Sequence, residues 1–144
     1  MPLSGEYVPS SSQWVADQVA TYERTHGREG NLQLGIPIIV VTCRGAHSGN
    51  IRKFALMRVQ HAGEYALVAS NGGAAEHPAW YRNLVDHPVV EIQDGREPND
   101  HLTKIVTGDE RQTWWDRCVE VFPRYAEYQE GTDREIPVFV ARRV

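Results

Sequence analysis

Sulfur and long apolar runs are scarce in this 144-residue chain. It has two cysteines, Cys43 and Cys118, and neither has a neighbour at metal-ligand spacing. The sequence therefore predicts two reduced, partly buried thiols and no metal site. No stretch approaches the ~20 apolar residues that a membrane span needs. The polar, turn-rich residues 1–13 lack a basic head followed by an apolar run, so we expect no secretory signal and a cytoplasmic protein.

Positive charge is also in short supply. Lysine and arginine total 15 against 19 acidic residues, giving a net charge of -4. This balance argues against nucleic acid as a partner, and an anionic ligand would need a local basic patch. The sequence also lacks the glycine-rich nucleotide motifs, the H-E-x-x-H and C-x-x-C metal motifs and the G-x-S-x-G elbow. Ordinary dinucleotide binding, nucleotide hydrolysis, zinc chemistry and a serine nucleophile are therefore not indicated.

The composition is that of an ordinary globular domain, with 41% hydrophobic and 24% charged residues. We divide the chain into an N-terminal arm and helix at 1–30 and a single domain at 31–144. The helix is indicated by serines at 10–12, which offer N-cap hydroxyls, and by apolar residues on one face, namely Trp14, Val15, Val19 and Tyr22.

The rest of the chain reads as strands with a few helices between them. The β-branched run 37–43 predicts a strand that is buried on both faces. We further predict hairpins at 53–60 with 64–71 and at 89–93 with 101–107, helices from 78 to about 86 and after 108, a helical turn at 125–128, and a final strand at 136–140. Strands joined by two or three residues must be antiparallel. An α+β small barrel with helices packed outside it is therefore expected.

The first stretch with chemical content is the loop and strand 44–53, followed by Arg58. Its glycines allow close backbone approach, successive N–H groups can form an anion nest, and Arg52, Lys53 and Arg58 can neutralise a phosphate. Alternation along a strand puts Arg52 and Arg58 on one face and Lys53 on the other. A solvated hairpin loop with ordinary surface cations explains the same residues.

Two further stretches are informative in combination. At 69–84 a strand ends in Gly72-Gly73 and leads into a helix N-terminus, where N–H groups suit a ring carbonyl or a phosphate. At 122–128, Tyr125 and Tyr128 share a helical face and could line a substrate pocket. In each case plain core packing is the alternative explanation.

Together, and in this order, the three stretches resemble the deazaflavin-dependent nitroreductase family of actinobacteria. The matching pieces are SGNIRKFALMRV at 48–59, YALVASNGGAAEHPAWYRNL at 65–84 and YAEYQEGTDREIPVFV at 125–140. The resemblance covers the chain from about residue 35 onward. The Gly-Gly…Pro-x-Trp-Tyr-x-Asn-Leu and Thr-Asp-Arg-x-Ile-Pro segments are specific when they occur together.

The resemblance implies an FMN-binding-like split β-barrel of antiparallel strands with flanking helices, and coenzyme F-420 as cofactor. It implies cofactor contacts from the phosphate loop and from the segment along the deazaflavin ring, namely Ser48, Gly49, Arg52, Lys53, Arg58, Ala69, Ser70, Asn71, Gly72, Gly73, Ala74, Ala75, Glu76 and Trp80. The substrate would be faced by Met57, Trp80, Phe122, Tyr125 and Tyr128. Tyr125, Tyr128 and Ser70 are the catalytic candidates.

The implied reaction is hydride transfer from the reduced coenzyme to an electrophilic small-molecule acceptor, namely a quinone, a nitroarene or an enone. Hydroxyls of Tyr125, Tyr128 or Ser70 would stabilise the charge that develops on the acceptor oxygen. The chain differs from the family pattern at Ala46 and His47, where cations are common, and at Ala55 and Glu76. We therefore expect weaker cofactor binding than in a fully basic site.

Two alternatives remain open from the sequence. The same barrel could use FMN, or it could hold the deazaflavin or a lipid-like ligand without turnover. Split barrels often dimerise through a sheet face, so a homodimer is a further expectation. Peripheral membrane contact through the first helix is the weaker interpretation of that helix, because it is short and not basic.

Overall fold

An antiparallel sheet of eight strands forms the centre of the computed structural model, which describes residue 3 and residues 5–144. Met1, Pro2 and Ser4, which belong to the arm expected at 1–30, lie outside the described residues. The strands are β1 (Leu32–Gln33), β2 (Ile36–Arg44), β3 (Ile51–Met57), β4 (Gln60–His61), β5 (Glu64–Val68), β6 (Val89–Gln93), β7 (Pro98–Ile105) and β8 (Val138–Arg143). The helices are α1 (Gln13–Arg24), α2 (Ala79–Asp86), α3 (Gly108–Val121) and α4 (Arg124–Glu130).

The strand order makes the sheet a barrel that is open on one side. The order is β1-β2-β6-β7-β8-β5-β4, and β3 pairs with β2. The pairing of β3 with β2 runs from Ile38 opposite Met57 to Arg44 opposite Ile51. No ladder among the described residues joins β3 to β5, so a gap is left between these two strands. The expected split β-barrel with flanking helices is confirmed.

The hairpin predicted at 53–60 with 64–71 was only partly correct. After β3 the chain bends, and the N–H of Arg58 still bonds to Pro37 O at 2.8 Å, whereas Val59 O already accepts from Ala66 N–H at 2.9 Å. Of the residues at 53–61, only those of β4 pair with β5, over two residues. This bend carries the chain from the edge of β2 to the edge of β5, and it leaves the outer edge of β3 facing the gap.

Two hydrophobic clusters lie on opposite faces of the sheet. On the outer face of the sheet, Ile38 and Val40 of β2 pack with residues of α1, α3 and α4. On the other face, Ile39 and Val41 pack beneath α2, which contributes Leu84. Strand β2 is therefore buried on both faces, as its β-branched run predicted. Burial of this kind, at about 25 cal/mol per Å² of apolar surface, is the main source of stability.

The N-terminal segment is joined to the barrel. Val19 and Tyr22 of α1 belong to the cluster on the outer face of the sheet. The Tyr22 hydroxyl accepts a hydrogen bond from Gly95 N–H at 2.6 Å. Ahead of the helix, Tyr7 forms a parallel bridge with Ile51 at the start of β3. The arm thus covers one end of the β3 edge.

The two cysteines lie in different clusters, and both are free thiols. Burial raises the pKa of Cys43 to about 11 and that of Cys118 to about 12. Both therefore stay protonated and unreactive at neutral pH, as expected for structural thiols. No helix in the described part of the chain has the length and apolar character that a membrane crossing requires.

Candidate functional site

A continuous cleft, here called the β3 cleft, runs along the open edge of β3. It consists of two adjoining cavities of about 400 and 550 Å³. Both are lined by Ser10 of the arm, Val15 of α1, Phe54 of β3 and Trp80 of α2. Cavities of this size suit small molecules. The cleft exists because, beyond the bridge at Ile51, β3 is paired only with β2 among the described residues.

The smaller cavity is built by the loop after β2, at residues 45–48. Asn83 of α2 anchors this loop, because its Oδ1 accepts a hydrogen bond from Ala46 N–H at 2.9 Å. The amide of Asn83 also lies 3.6 Å from Cys43 Sγ, which fixes the side chain against β2. Ser48 lines the cavity, whereas Gly49 does not, and its carbonyl accepts from Arg44 at 3.0 Å. The loop is therefore held in place and presents its backbone to the cavity.

Two basic side chains of β3 border this cavity, and they differ in whether their charge is paired with an acidic side chain. The side chain of Arg52 makes no ion pair or hydrogen bond with any other described residue. Lys53 is ion-paired with Glu23 of α1. Its ammonium also lies 5.1 Å from the ring centre of Tyr7. Arg52 therefore offers an unpaired positive charge to an anion, whereas the charge of Lys53 is already compensated.

Arg58 lines neither cavity of the β3 cleft, so the structure does not bring it together with Arg52, the other arginine expected to hold the phosphate. The Nε of Arg58 donates to Asp94 Oδ2 at 2.8 Å, in a separate cavity that Tyr22 also lines. The hydroxyl of Tyr65 donates to the same oxygen at 2.7 Å, and burial together with this bond raises the pKa of Tyr65 to about 12. Residues 52 and 58 point to the same face in the strand pattern, but this does not bring their side chains together, because six strand residues span about 20 Å.

The middle of the cleft is flat and apolar. The Trp80 ring stacks on the Phe54 ring, with 4.8 Å between ring centres and 10° between planes. The turn after β5 faces this pair, and Ser70, Asn71 and Gly72 line the larger cavity. The Ser70 hydroxyl forms no hydrogen bond with another described residue. A planar ring system would therefore meet aromatic surface and one free hydroxyl.

The turn at 70–74 holds an unusual backbone. Asn71, Gly72 and Gly73 have φ angles of +50°, +64° and +82°. A side chain on Gly73 would meet the Tyr128 backbone at 3.1 Å, so α4 packs directly on the turn. Ala69 is fully buried in the cluster beneath α2. Ala69, Gly73, Ala74, Ala75 and Glu76 do not line either cavity, in contrast to the three residues at 70–72.

The far end of the cleft carries the predicted substrate-facing residues. Met57, Phe122, Tyr125 and Tyr128 all line the larger cavity together with Ser70. Tyr125 is packed edge-on against Phe122, with 5.0 Å between ring centres. Burial holds the pKa of Tyr125 well above its usual range. It therefore stays a neutral phenol that can donate a hydrogen bond.

Comparison with known proteins identifies the family. The family model described as F420H(2)-dependent quinone reductase matches residues 14–143. The chain belongs to this family. It is 34% identical over 128 residues to an F420H(2)-dependent quinone reductase of Mycobacterium tuberculosis, covering 86% of each chain. The prediction that the chain belongs to an F420-dependent reductase family of actinobacteria is confirmed. The chain is an F420-dependent oxidoreductase, and its cofactor is reduced coenzyme F420.

Solved structures agree with this assignment to the F420H(2)-dependent quinone reductase family. A structure described as an F420-H2 dependent reductase (FDR-A) is 48% identical, with a TM-score of 0.70, and covers 74% of this chain and 94% of that one. A second, described as a domain-swapped dimer, is 42% identical, with a TM-score of 0.73, and covers 92% of this chain and 100% of that one.

Several residues of the site were not predicted from the sequence. Asn83 lies three residues after Trp80 and one before the buried Leu84, so a polar residue on the inner face of α2 was the available signal. Val15 was assigned to the apolar face of its helix, without a place in the cleft. Arg134 lies in the Thr-Asp-Arg-x-Ile-Pro segment, but nothing in its local pattern indicates where its side chain points.

Proposed function

We propose that the chain transfers hydride from reduced F420 to a quinone bound in the β3 cleft. The observation that carries this proposal is the order in which three kinds of surface lie along one cleft. An unpaired cation and a tethered loop lie at one end, a flat apolar wall in the middle, and hydroxyl groups at the other end. This order matches an elongated ligand with an anionic tail and a planar reactive ring.

The residues present fit the cofactor in charge and shape. Arg52 and the loop 45–48 would hold the phosphate and tail, because a guanidinium gives charge-assisted bonds to phosphate. Trp80 and the backbone of 70–72 would flank the ring. When bound, the reduced deazaflavin supplies the hydride. Lys53 would add less than its charge suggests, since Glu23 already compensates it.

The acceptor would occupy the remainder of the larger cavity. Met57 and Phe122 would provide apolar contact to a quinone ring. Tyr125, neutral because of its burial, is placed to donate a hydrogen bond as negative charge develops on the quinone oxygen. Tyr128 and the free hydroxyl of Ser70 are the other donors within the same cavity. Tyr125 is only 4% exposed, so a bond from its hydroxyl would form where the dielectric constant is low, which strengthens it.

Steady-state oxidation of reduced F420 with menadione, a nitroarene and an enone tests the proposal. We expect turnover to be fastest with the quinone. Tyr125→Phe should lower kcat about 100-fold, as loss of one oxyanion donor does, and should leave cofactor affinity unchanged. Trp115→Phe, which alters an aromatic neighbour of Tyr125 outside the cleft, is the matched control.

Two results would replace this proposal with another. If the protein binds F420 but oxidises none of the acceptors, the deazaflavin is held without turnover, as in a carrier. If FMN binds more tightly than F420 and supports the same reaction, the site is a flavin site. A nitroarene preferred over menadione would keep the hydride transfer but change the acceptor class.

We also propose that the chain forms a homodimer. The support is a relative of 42% identity described as a domain-swapped dimer. Leu34, which lines the larger cavity, is 66% exposed and Trp14 of α1 is 60% exposed, and a second copy could cover them. Light scattering after size exclusion should give twice the monomer mass, and a monomer at micromolar concentration would contradict the proposal.

A further inference from the structure

Arg134 lies between α4 and β8, and its guanidinium makes four polar contacts with residues in and beside the turn after β5. Its Nε donates to Ala74 O at 2.9 Å, one terminal nitrogen to Ser70 O at 2.7 Å and the other to Ala69 O at 3.2 Å. That last nitrogen also lies 2.9 Å from His77 Nδ1. All four partners are 57–65 residues earlier in the chain. One side chain thus ties the loop before β8 to the turn after β5.

This turn has little to hold its shape internally. Three consecutive residues, Asn71 to Gly73, adopt positive φ, which is costly for the asparagine. Its own bonds are Gly73 N–H to Ser70 O at 2.9 Å and Ala74 N–H to Asn71 O at 3.1 Å, and the exposed side-chain amide of Asn71 donates to Glu76 O at 3.1 Å. Side chains of the described residues other than Arg134 donate nothing to the carbonyls of Ser70 and Ala74. The fixed fork of the guanidinium therefore selects the direction of these carbonyls.

The direction of these carbonyls matters for the cleft. With the Ser70 carbonyl turned toward Arg134, the Ser70 side chain lines the cavity. Asn71 and Gly72, which follow directly, line the same wall. Arg134 itself lines neither cavity, so it touches this wall only from behind.

We infer that Arg134 is a positioning residue that sets the shape of the ring-facing wall at 70–72, and thereby the affinity for the cofactor. The inference rests on the proposed function insofar as it concerns F420. It also makes a claim about the free protein, because the turn should lose its order without the guanidinium. A lysine at this position would keep the charge but has no planar fork.

His77 makes the contact sensitive to pH. An arginine only donates, so His77 Nδ1 must be the unprotonated acceptor. Protonation would remove this bond and place two cations 2.9 Å apart. The other group that faces the imidazole is Tyr81 of α2, whose ring stacks on it with 4.0 Å between ring centres. Among the described residues no carboxylate contacts His77, so nothing offsets the added charge. Burial and Arg134 accordingly lower the pKa of His77.

Amide hydrogen exchange in the free protein tests the first claim. In Arg134→Lys, the amides of Gly73 and Ala74 should exchange roughly tenfold faster than in the wild type, since loss of a charge-assisted bond has that scale. Arg82→Lys is the matched control, because Arg82 is exposed on α2 and its side chain pairs, among the described residues, with Asp86 alone. Unchanged exchange in Arg134→Lys would overturn the inference.

Equilibrium binding of F420 tests the second claim. Arg134→Lys should raise the Kd roughly tenfold, with Arg82→Lys unchanged. Faster exchange with an unchanged Kd would overturn the link between the turn and the cofactor. If wild-type protein does not bind F420, the proposed function fails, but the exchange data still decide the role of Arg134.

A milder variant covers the case in which Arg134→Lys fails to fold. His77→Asn removes the titratable acceptor and leaves the three carbonyl bonds. In the wild type, the exchange of Gly73 and Ala74, corrected for intrinsic rates, should accelerate on acidification below about pH 6.5. This acceleration should be absent in His77→Asn. An equal acceleration in both proteins would contradict the role given to the Arg134–His77 contact.

Discussion

Arg52 and Arg58 should contribute to different properties, although they share a strand face in the sequence pattern. Arg52 lines the smaller cavity and is unpaired among the described residues. A hydrogen bond from a charged donor is worth about 1.5–3 kcal/mol, and partial exposure of Arg52 favours the lower end. Arg52→Ala should therefore raise the Kd for F420 about tenfold. Its thermal stability should hardly change, because no side-chain hydrogen bond or ion pair with another described residue is lost.

Arg58→Ala should behave in the opposite way. The ion pair of Arg58 with Asp94 has side-chain exposures of 39% and 24%, so screening limits its contribution to about 1 kcal/mol. Its loss should lower Tm by roughly 3 °C and leave the Kd for F420 within about twofold of the wild type. Asp94 would keep its bond from Tyr65, which limits the damage.

Fluorescence titration with F420 and thermal unfolding, applied to both single variants and the double variant, measure these effects. The double variant should bind F420 as weakly as Arg52→Ala alone, since the two sites are far apart. A Kd for Arg58→Ala as high as that for Arg52→Ala would refute the separation of the two arginines.

Three other changes have expected outcomes. Gly73→Ala should destabilise the fold by about 2–3 kcal/mol in denaturant unfolding, whereas the control Gly72→Ala, with open space around it, should cost about 1 kcal/mol; equal losses would contradict the close packing of the turn on α4. Glu23→Gln should lower the Kd for F420 about twofold by releasing Lys53, and weaker binding would count against that ion pair as a competitor. Because the folded pKa of His77 is lowered, the unfolded chain binds more protons below about pH 6.5, so stability is complete above that pH and is lost as pH falls through this window. His77→Asn should lose less Tm than the wild type between about pH 7 and pH 5, and parallel curves would contradict this.

The elements were readable where the pattern was local. The β-branched run of β2 predicted burial on both faces, because a strand under helices on both sides needs apolar residues at every position. The hairpin turn at Asp94-Gly95 likewise follows from turn chemistry. By contrast, the bend between Met57 and Gln60 depends on which edges the chain can reach, and no residue type at 58–59 signals it.

From the sequence, the residues of the candidate site could be named, but their arrangement in space could not be predicted. The residues at 70–72 and the tyrosines of α4 line one cleft. The sequence could not show which basic side chains are free to bind an anion, because this depends on the acidic side chains with which they pair. Glu23 and Asp94 capture Lys53 and Arg58 from distant parts of the chain. Such pairs are set by tertiary packing and leave no trace in local spacing.

The central claim is that F420 occupies the β3 cleft with its ring against Trp80. Titration of the protein with F420 while monitoring tryptophan fluorescence tests it most directly, with FMN in parallel and Trp80→Phe as the site marker. The account predicts quenching by F420 at lower concentration than by FMN, and loss of most of that quenching in Trp80→Phe, with an affinity that changes little because phenylalanine keeps an aromatic face. Quenching of equal size in Trp80→Phe, or equal affinity for FMN, would contradict it.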